Sequence, residues 1–177
     1  MEQKVNVWKA NLTNGLILAL AGIVFSLVMF FFDLTLNKTA GYINIPIQIA
    51  ILYFLLKSYR DNFMHGQITY GQSVGAGVVI FVYASIIMAI YTYLQYTVID
   101  PTLTSKQLAM AEELMVKRGA PQAAIDAGMA IQAKIMKPAI IAPLAILGTM
   151  ISGVIFSLIV SIFIKKEGNP LIDAPEN

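Results

Sequence analysis

Apolar residues gather along this chain in four uninterrupted runs, Leu12–Phe32, Ala40–Leu56, Val74–Ile99 and Pro138–Ile164. A bilayer core about 30 Å thick needs roughly 20 apolar residues at about 1.5 Å each. The first, third and fourth runs reach that length, and the second recruits flanking residues. All 12 Lys/Arg and all 10 Asp/Glu lie outside the runs. A soluble amphipathic helix keeps one polar face for water, and these runs have none. The pattern predicts an all-α fold: an integral membrane four-helix bundle, organised as a single membrane domain over 1–177. Ala19-Leu20-Ala21 resembles a signal cleavage site, but too few apolar residues precede it and the run continues to Phe32. The first span is therefore expected to be retained.

Polar punctuation between the third and fourth runs predicts a structured loop over 100–137, too long and too patterned for a plain linker. Asp100-Pro101 ends the third span, and Thr104 with Gln107 has the spacing of a capping box. The helix-forming stretch that follows carries an apolar side of Leu108, Ala111, Leu114 and Met115, with Met110 at its margin. Gly119 stops that helix, and Ala120-Pro121 restarts the chain. A second helix over Gln122–Met136 places Ile125, Met129, Gln132 and Ile135 near one face. The expectation is an extramembrane helical hairpin between spans 3 and 4. Residues 167–177 read as a flexible tail.

Lipid tails are as apolar as leucine, so helices join in a membrane through close backbone approach and interhelical hydrogen bonds. Small residues mark such faces. In the fourth span Ala145, Thr149, Gly153, Ser157 and Ser161 recur every four residues and form one stripe. It is the candidate helix-packing seam, facing either the other spans or a second copy in a homo-oligomer through span 4. Gly15, Ala19, Gly22 and Ser26 make a similar stripe in the first span, with Asn11 below. Gly71, Gly75, Ser85, Ala89 and Thr92 are assigned to one face of the third. Asn37, Gly41, Asn44 and Gln48 lie along the second. Pro46 and Pro143 fall inside spans and are read as tolerated near helix starts.

Composition agrees with lipid as solvent: 58% of residues are hydrophobic and 12% charged, against about a quarter charged in soluble domains. The net charge of +2, with no basic block, excludes nucleic acid as a partner class. Lys4, Lys9, Lys57, Arg60, Lys165 and Lys166 share one side. Lys38 and five basic residues of the long loop share the other. Because Lys57, Lys165 and Lys166 abut span ends, both termini are placed in the cytoplasm, with the chain in a bacterial inner membrane. Trp8, Tyr59 and Tyr70 at one edge, and Tyr42, Tyr91, Tyr93 and Tyr96 at the other, read as interfacial anchors.

Chemistry is sparse. There is no cysteine, which removes disulfides and thiol catalysis. His65 is the sole histidine and reads as an exposed loop residue. Met115, Met129 and Met136 lack accompanying Cys or His and read as apolar filler rather than copper ligands. Asp33 and Asp100 are the nearest carboxylates to the spans and read as solvated span ends or as a pair flanking an opening. No catalytic, cofactor-binding or metal residue is assigned. A polar path through Asn44, Gln48, Ser85, Thr92 and Gln95 is the one uncharged alternative.

Asn14-Gly15, Tyr59-Arg60-Asp61, the run Gly66-Gln67-Ile68-Thr69-Tyr70-Gly71-Gln72, Asp100-Pro101, the Gly119 break and Lys137-Pro138 occur in an order and spacing that covers most of the chain. In these the sequence resembles domain-of-unknown-function family 4199, small four-span bacterial membrane proteins. The resemblance implies the layout and supplies no activity, so no residue role is carried over. The sequence reading is a small non-enzymatic membrane protein without cofactor, a scaffold or accessory component of the cell envelope with a protein partner at loop 100–137. The alternative is an oligomeric channel or facilitator for a small neutral solute.

Overall fold

A computed structural model describes residues 5–167. The tail expected over 167–177 lies outside the described residues except for Glu167, as does Lys4. The elements are α1 Val7–Phe31, α2 Lys38–Tyr42, α3 Asn44–Phe63, α4 Tyr70–Leu94 with a π-helical turn over Gln95–Ile99, α5 Leu103–Lys117, α6 Gln122–Ile135 and α7 Pro138–Ile164. Among the described residues the β pairing is one antiparallel bridge, Ile68 to Lys166. The fold is all-α, and four segments are long and apolar enough to cross a membrane: Val7–Phe31, Lys38–Phe63, Tyr70–Ile99 and Pro138–Ile164.

Span edges differ from the apolar runs because a helix ends where its backbone groups are capped, not where charge begins. α1 starts before Leu12 because the Asn6 side chain accepts from the Trp8 and Lys9 amides at 3.0 and 3.3 Å. α3 continues past Leu56 through Lys57, Arg60 and Asp61, all residues a helix accepts in its last turns. The second span is two helices, since α2 closes at Tyr42 and α3 opens at Asn44. Pro46 therefore sits in the first turn of α3, where its missing N–H has no intrahelical partner to lose. Pro143 sits in the second turn of α7, which stays helical through it.

A capping box is present, but at α4 instead of α5. Thr69 Oγ1 accepts from the Gln72 amide at 3.3 Å, and Gln72 Oε1 accepts from the Thr69 amide at 3.0 Å. Helix α1 closes with Asp33 in the left-handed region at φ 54°. There the Leu34 amide donates to Met29 O and the Asp33 amide to Phe30 O, a Schellman closure. The expected stop at Gly119 has the same form, with φ 71° and the Ala120 amide donating to Met115 O at 3.1 Å.

The chain separates into two compact units, one holding the residues up to Ser85 and from Thr149 onward, the other Ile86–Gly148. The first is a helical bundle. Its α1 packs on α3, and its core includes Leu52, Leu56, Ile80, Phe81, Val160 and Ile164. The part of α4 in this unit is flanked by α1 and α7. A methyl on Gly15 would press into the Tyr83 Cβ, so α1 and α4 approach at the distance only glycine permits. The Tyr83 hydroxyl donates to Trp8 O at 3.3 Å across the same contact. Along α1, Leu16, Leu20 and Val24 point outward, as do Ile155, Ile162 and Phe163 along α7. Large apolar side chains in that position are what lipid contact requires.

Candidate functional site

The second unit is organised by Asp100. Its Oδ1 accepts from the Thr102 amide at 3.1 Å and from the Thr102 hydroxyl, and its Oδ2 accepts from Lys106 Nζ at 3.2 Å. The residue keeps only 8% of its surface exposed. The expected Thr104/Gln107 box is overturned, because α5 opens at Leu103 with Thr102 as its N-cap residue, and the Thr104 and Gln107 side chains bond elsewhere. A carboxylate at a helix N-terminus also favours the partial positive charge there. The Thr102 hydroxyl beside it holds the Asp100 carboxyl below its ordinary value. Burial opposes that shift, and the hydrogen bond and charge of Lys106 add to it. Reading Asp100 as a solvated span end is therefore corrected: it is buried and held by Thr102 and Lys106.

Gln107, freed from capping, hydrogen-bonds the Tyr96 hydroxyl at 2.9 Å, and Thr104 Oγ1 reaches Met136 O at 3.5 Å. Tyr96 is thus tied to protein, unlike a headgroup anchor. The far end of the hairpin closes where Gly128 meets Met115, whose Cε would lie 2.9 Å from an added Cβ. These pairings set α5 and α6 antiparallel, with Thr104 level with Met136 and Met115 level with Gly128. Leu103 and Ile125 are buried at 2% and 4% exposed. Met110, Leu114, Val116, Ile131 and Ile135 are exposed. Of the two apolar sides read from the sequence, Leu114 and Ile135 are exposed, while Leu108, Met115, Met129 and Gln132 are half-buried and Ile125 is buried. Met110 and Leu114 are one turn apart, as are Ile131 and Ile135, and the antiparallel pairing sets Met110 about level with Ile131.

The candidate seam of α7 divides. Gly153, Ser157 and Ser161 are buried, Ala145 and Thr149 half-buried. The buried three meet α4 of the same chain in regular antiparallel register. Gly153 faces Phe81, Ser157 faces Gly77, and Ser161 Oγ donates to Ser73 Oγ at 2.8 Å. The expected face of the third span is out of phase at its start, where Gly71 and Gly75 have nothing within 4 Å of an added Cβ while Ser73 and Gly77 make the contact; farther along, Ser85 and Ala89 are buried. Alternation of small residues in this stretch gave two candidate phases, and only the partner helix selects one.

The polar path residues fall in both units. Asn44, Gln48 and Ser85 belong to the first unit, Thr92 and Gln95 to the second. Ser85 is fully buried and returns its hydroxyl to Val82 O at 2.8 Å. Asn44 Oδ1 is buried without a partner among the described residues. Asp33 is exposed and serves as the αL residue that ends α1. Among the described residues no three His, Cys, Asp or Glu side chains are grouped to hold a metal ion. Tyr59 and Tyr91, expected as interfacial anchors, are corrected to buried at 3% and 7% exposed; Trp8, Tyr42 and Tyr93 are exposed.

The motif residues Tyr59 to Gln72 act together as a clamp on the end of α7. Arg60 donates from Nη1 to Ile164 O at 3.2 Å and from Nε to Asp61 at 2.8 Å. Ile68, 2% exposed, exchanges two backbone hydrogen bonds with Lys166, each 2.9 Å. The Tyr70 hydroxyl donates to Leu158 O at 3.2 Å. The sequence showed these residues as a string without showing that their partners lie about a hundred positions away.

Residues 13–166 match the family described as a protein of unknown function, DUF4199. The chain belongs to that family, and with four helices able to span a bilayer it is a membrane protein. Neither a curated protein nor a solved structure matches it.

Proposed function

We propose that this chain is a non-enzymatic scaffold or accessory component of a bacterial inner membrane, with both termini cytoplasmic, and that the α5–α6 hairpin holds a protein partner. The observation that carries the reading is the pairing of rigidity with exposure in the second unit. Asp100, Gln107 and Thr104 fix the hairpin at its base, while Met110, Leu114, Val116, Ile131 and Ile135 stay uncovered. Exposed apolar side chains on a pre-ordered support bind with less entropy lost than a mobile loop would. A lipid-surface hairpin would be enriched in Lys and Arg, whereas the basic residues here are offset by Asp100, Glu112, Glu113 and Asp126. The orientation is supported by the first unit, where the clamp gathers Lys57, Arg60, Lys165 and Lys166 at one end of the bundle.

The test is photo-crosslinking in native membranes from a benzophenone amino acid at Val116 or at Ile131. The expected outcome is one discrete protein adduct common to both positions and lost in the Leu114→Glu, Ile135→Glu variant. Adducts with lipid alone would sink the proposal.

A further inference from the structure

A cleft of about 950 Å³ opens at the clamp end of the first unit, between the start of α1, the end of α3 and the first turns of α4. Its walls are of two kinds. Tyr59, Asn62, His65 and Gln72 supply hydrogen-bonding groups, and Val5, Val7, Phe63 and Val79 supply apolar surface. Among the described residues that line it, none is Lys, Arg, Asp or Glu.

Three observations mark it as built for an occupant. Tyr59 is 3% exposed and stacks on Phe63 at 5.9 Å, and its hydroxyl, which makes no hydrogen bond among the described residues, is left to bond an occupant of the cleft. Gly75 lines the cleft with nothing within 4 Å of an added Cβ, so its hydrogen keeps a volume open that any side chain would fill. His65 is held at φ 52° at the mouth, a left-handed conformation that non-glycine residues adopt at a cost. Two side chains keep hydrogen-bonding capacity to spare. Gln72 uses Oε1 on Thr69 and retains its amide donors, and Asn62 donates to Ser58 and retains Oδ1.

The cleft also matches the polarity gradient of a membrane edge. His65 lies in the loop, while Val79 is nine residues into α4, about 13 Å deeper at 1.5 Å per residue. We propose that this cleft binds an uncharged amphiphile drawn from the bilayer, with a hydrogen-bonding head between Tyr59, Asn62, His65 and Gln72 and an apolar portion along Gly75 and Val79. The described lining residues offer no arginine or lysine of the kind that holds a phosphate head. Arg60, nearby in sequence, is engaged by Asp61 and Ile164 O. The volume lies at the upper end of the range of small-molecule sites, about 300–1,000 Å³.

The full chain in lipid nanodiscs, with trace diazirine-bearing diacylglycerol, provides the test. Photolabelling is expected to concentrate on residues 59–79 and to saturate with excess unlabelled diacylglycerol. Gly75→Trp should reduce it at least tenfold. Gly71→Trp, equally open but outside the lining, should leave it unchanged. Tyr59→Phe should lower it several-fold with thermal stability retained. Labelling spread over the outward faces of α1 and α7, unsaturable and indifferent to Gly75→Trp, would overturn the proposal. Equal saturable labelling by diazirine phosphatidylglycerol would overturn its uncharged character. Saturability is read on the unmodified chain, so the result does not hang on the tryptophan variant folding.

Discussion

Gly153→Ala is the smallest change that tests the contact between α4 and α7. An alanine Cβ would lie 2.5 Å from Phe81 Cβ and 2.8 Å from Phe81 Cδ1. The first of these atoms is fixed to the α4 backbone and cannot rotate aside, so the helices must part. Overpacking of this kind costs about 1–3 kcal/mol. Parting also stretches the Ser161–Ser73 hydrogen bond, and interhelical hydrogen bonds in membranes average about 0.6 kcal/mol. Alanine returns about 1 kcal/mol through helix propensity. The net expectation is a loss of about 0.6–2.6 kcal/mol. Gly148→Ala is the matched control on the same helix, since nothing lies within 4 Å of its added Cβ. It should be neutral or stabilising by up to about 1 kcal/mol. Equilibrium unfolding in mixed micelles measures both. Trp8, the single tryptophan, reports on the bundle because its ring meets Tyr83 edge-on at 5.9 Å. Equal stability of the two variants would refute the packing argument.

Other expectations follow from the same contacts. Asp100 has a lowered folded-state pKa, so its contribution to the hairpin is fully present above the ordinary carboxylate value near 4 and is lost as pH falls through the lower folded value. Spin-label distances across α5 and α6 should hold from pH 7 to about 5 and broaden well below about 4, and Asp100→Asn should broaden them at every pH. Arg60→Ala removes the donor to Ile164 O, so amide exchange should rise in the last turn of α7 while that of α5 and α6 stays unchanged. Asp33→Gly places the residue best suited to φ 54° at the end of α1 and should stabilise the bundle by up to about 1 kcal/mol in the same unfolding assay. A loss of stability there would show that the Asp33 carboxylate makes a contribution beyond ending the helix.

The four spans were legible because charge exclusion over about 20 residues has few causes other than lipid. Pro138–Ile164 was read to the residue, since a proline opens it and Lys165 follows it. Edges elsewhere were misplaced where a cap lay outside the apolar run, as with Asn6 and Thr69. The α7 stripe was visible as a four-residue repeat, but its counterpart on α4 was not. Ser73, Gly77 and Phe81 include one large residue, so a search for small residues chose Gly71 and Gly75, which the structure leaves open. The roles of Asp100 and Arg60 were hidden for another reason. Each depends on which atoms its side chain reaches, and a sequence shows only that a charged residue stands near a span end. The two helices of the hairpin were legible, but not which members of each apolar stripe the partner helix covers, since an amphipathic stripe leaves that open.

The register of α4 against α7, and its location within one chain, is the claim on which the rest of the bundle stands. The chain has no cysteine, so Ser73→Cys with Ser161→Cys introduces a single defined pair where the native hydroxyls are 2.8 Å apart. Mild oxidation in native membranes should give a fast-migrating, intramolecularly bridged monomer, while Ser161→Cys alone should give no bridged product. Disulfide-linked dimers from Ser161→Cys alone, or no bridge in the pair, would contradict the account.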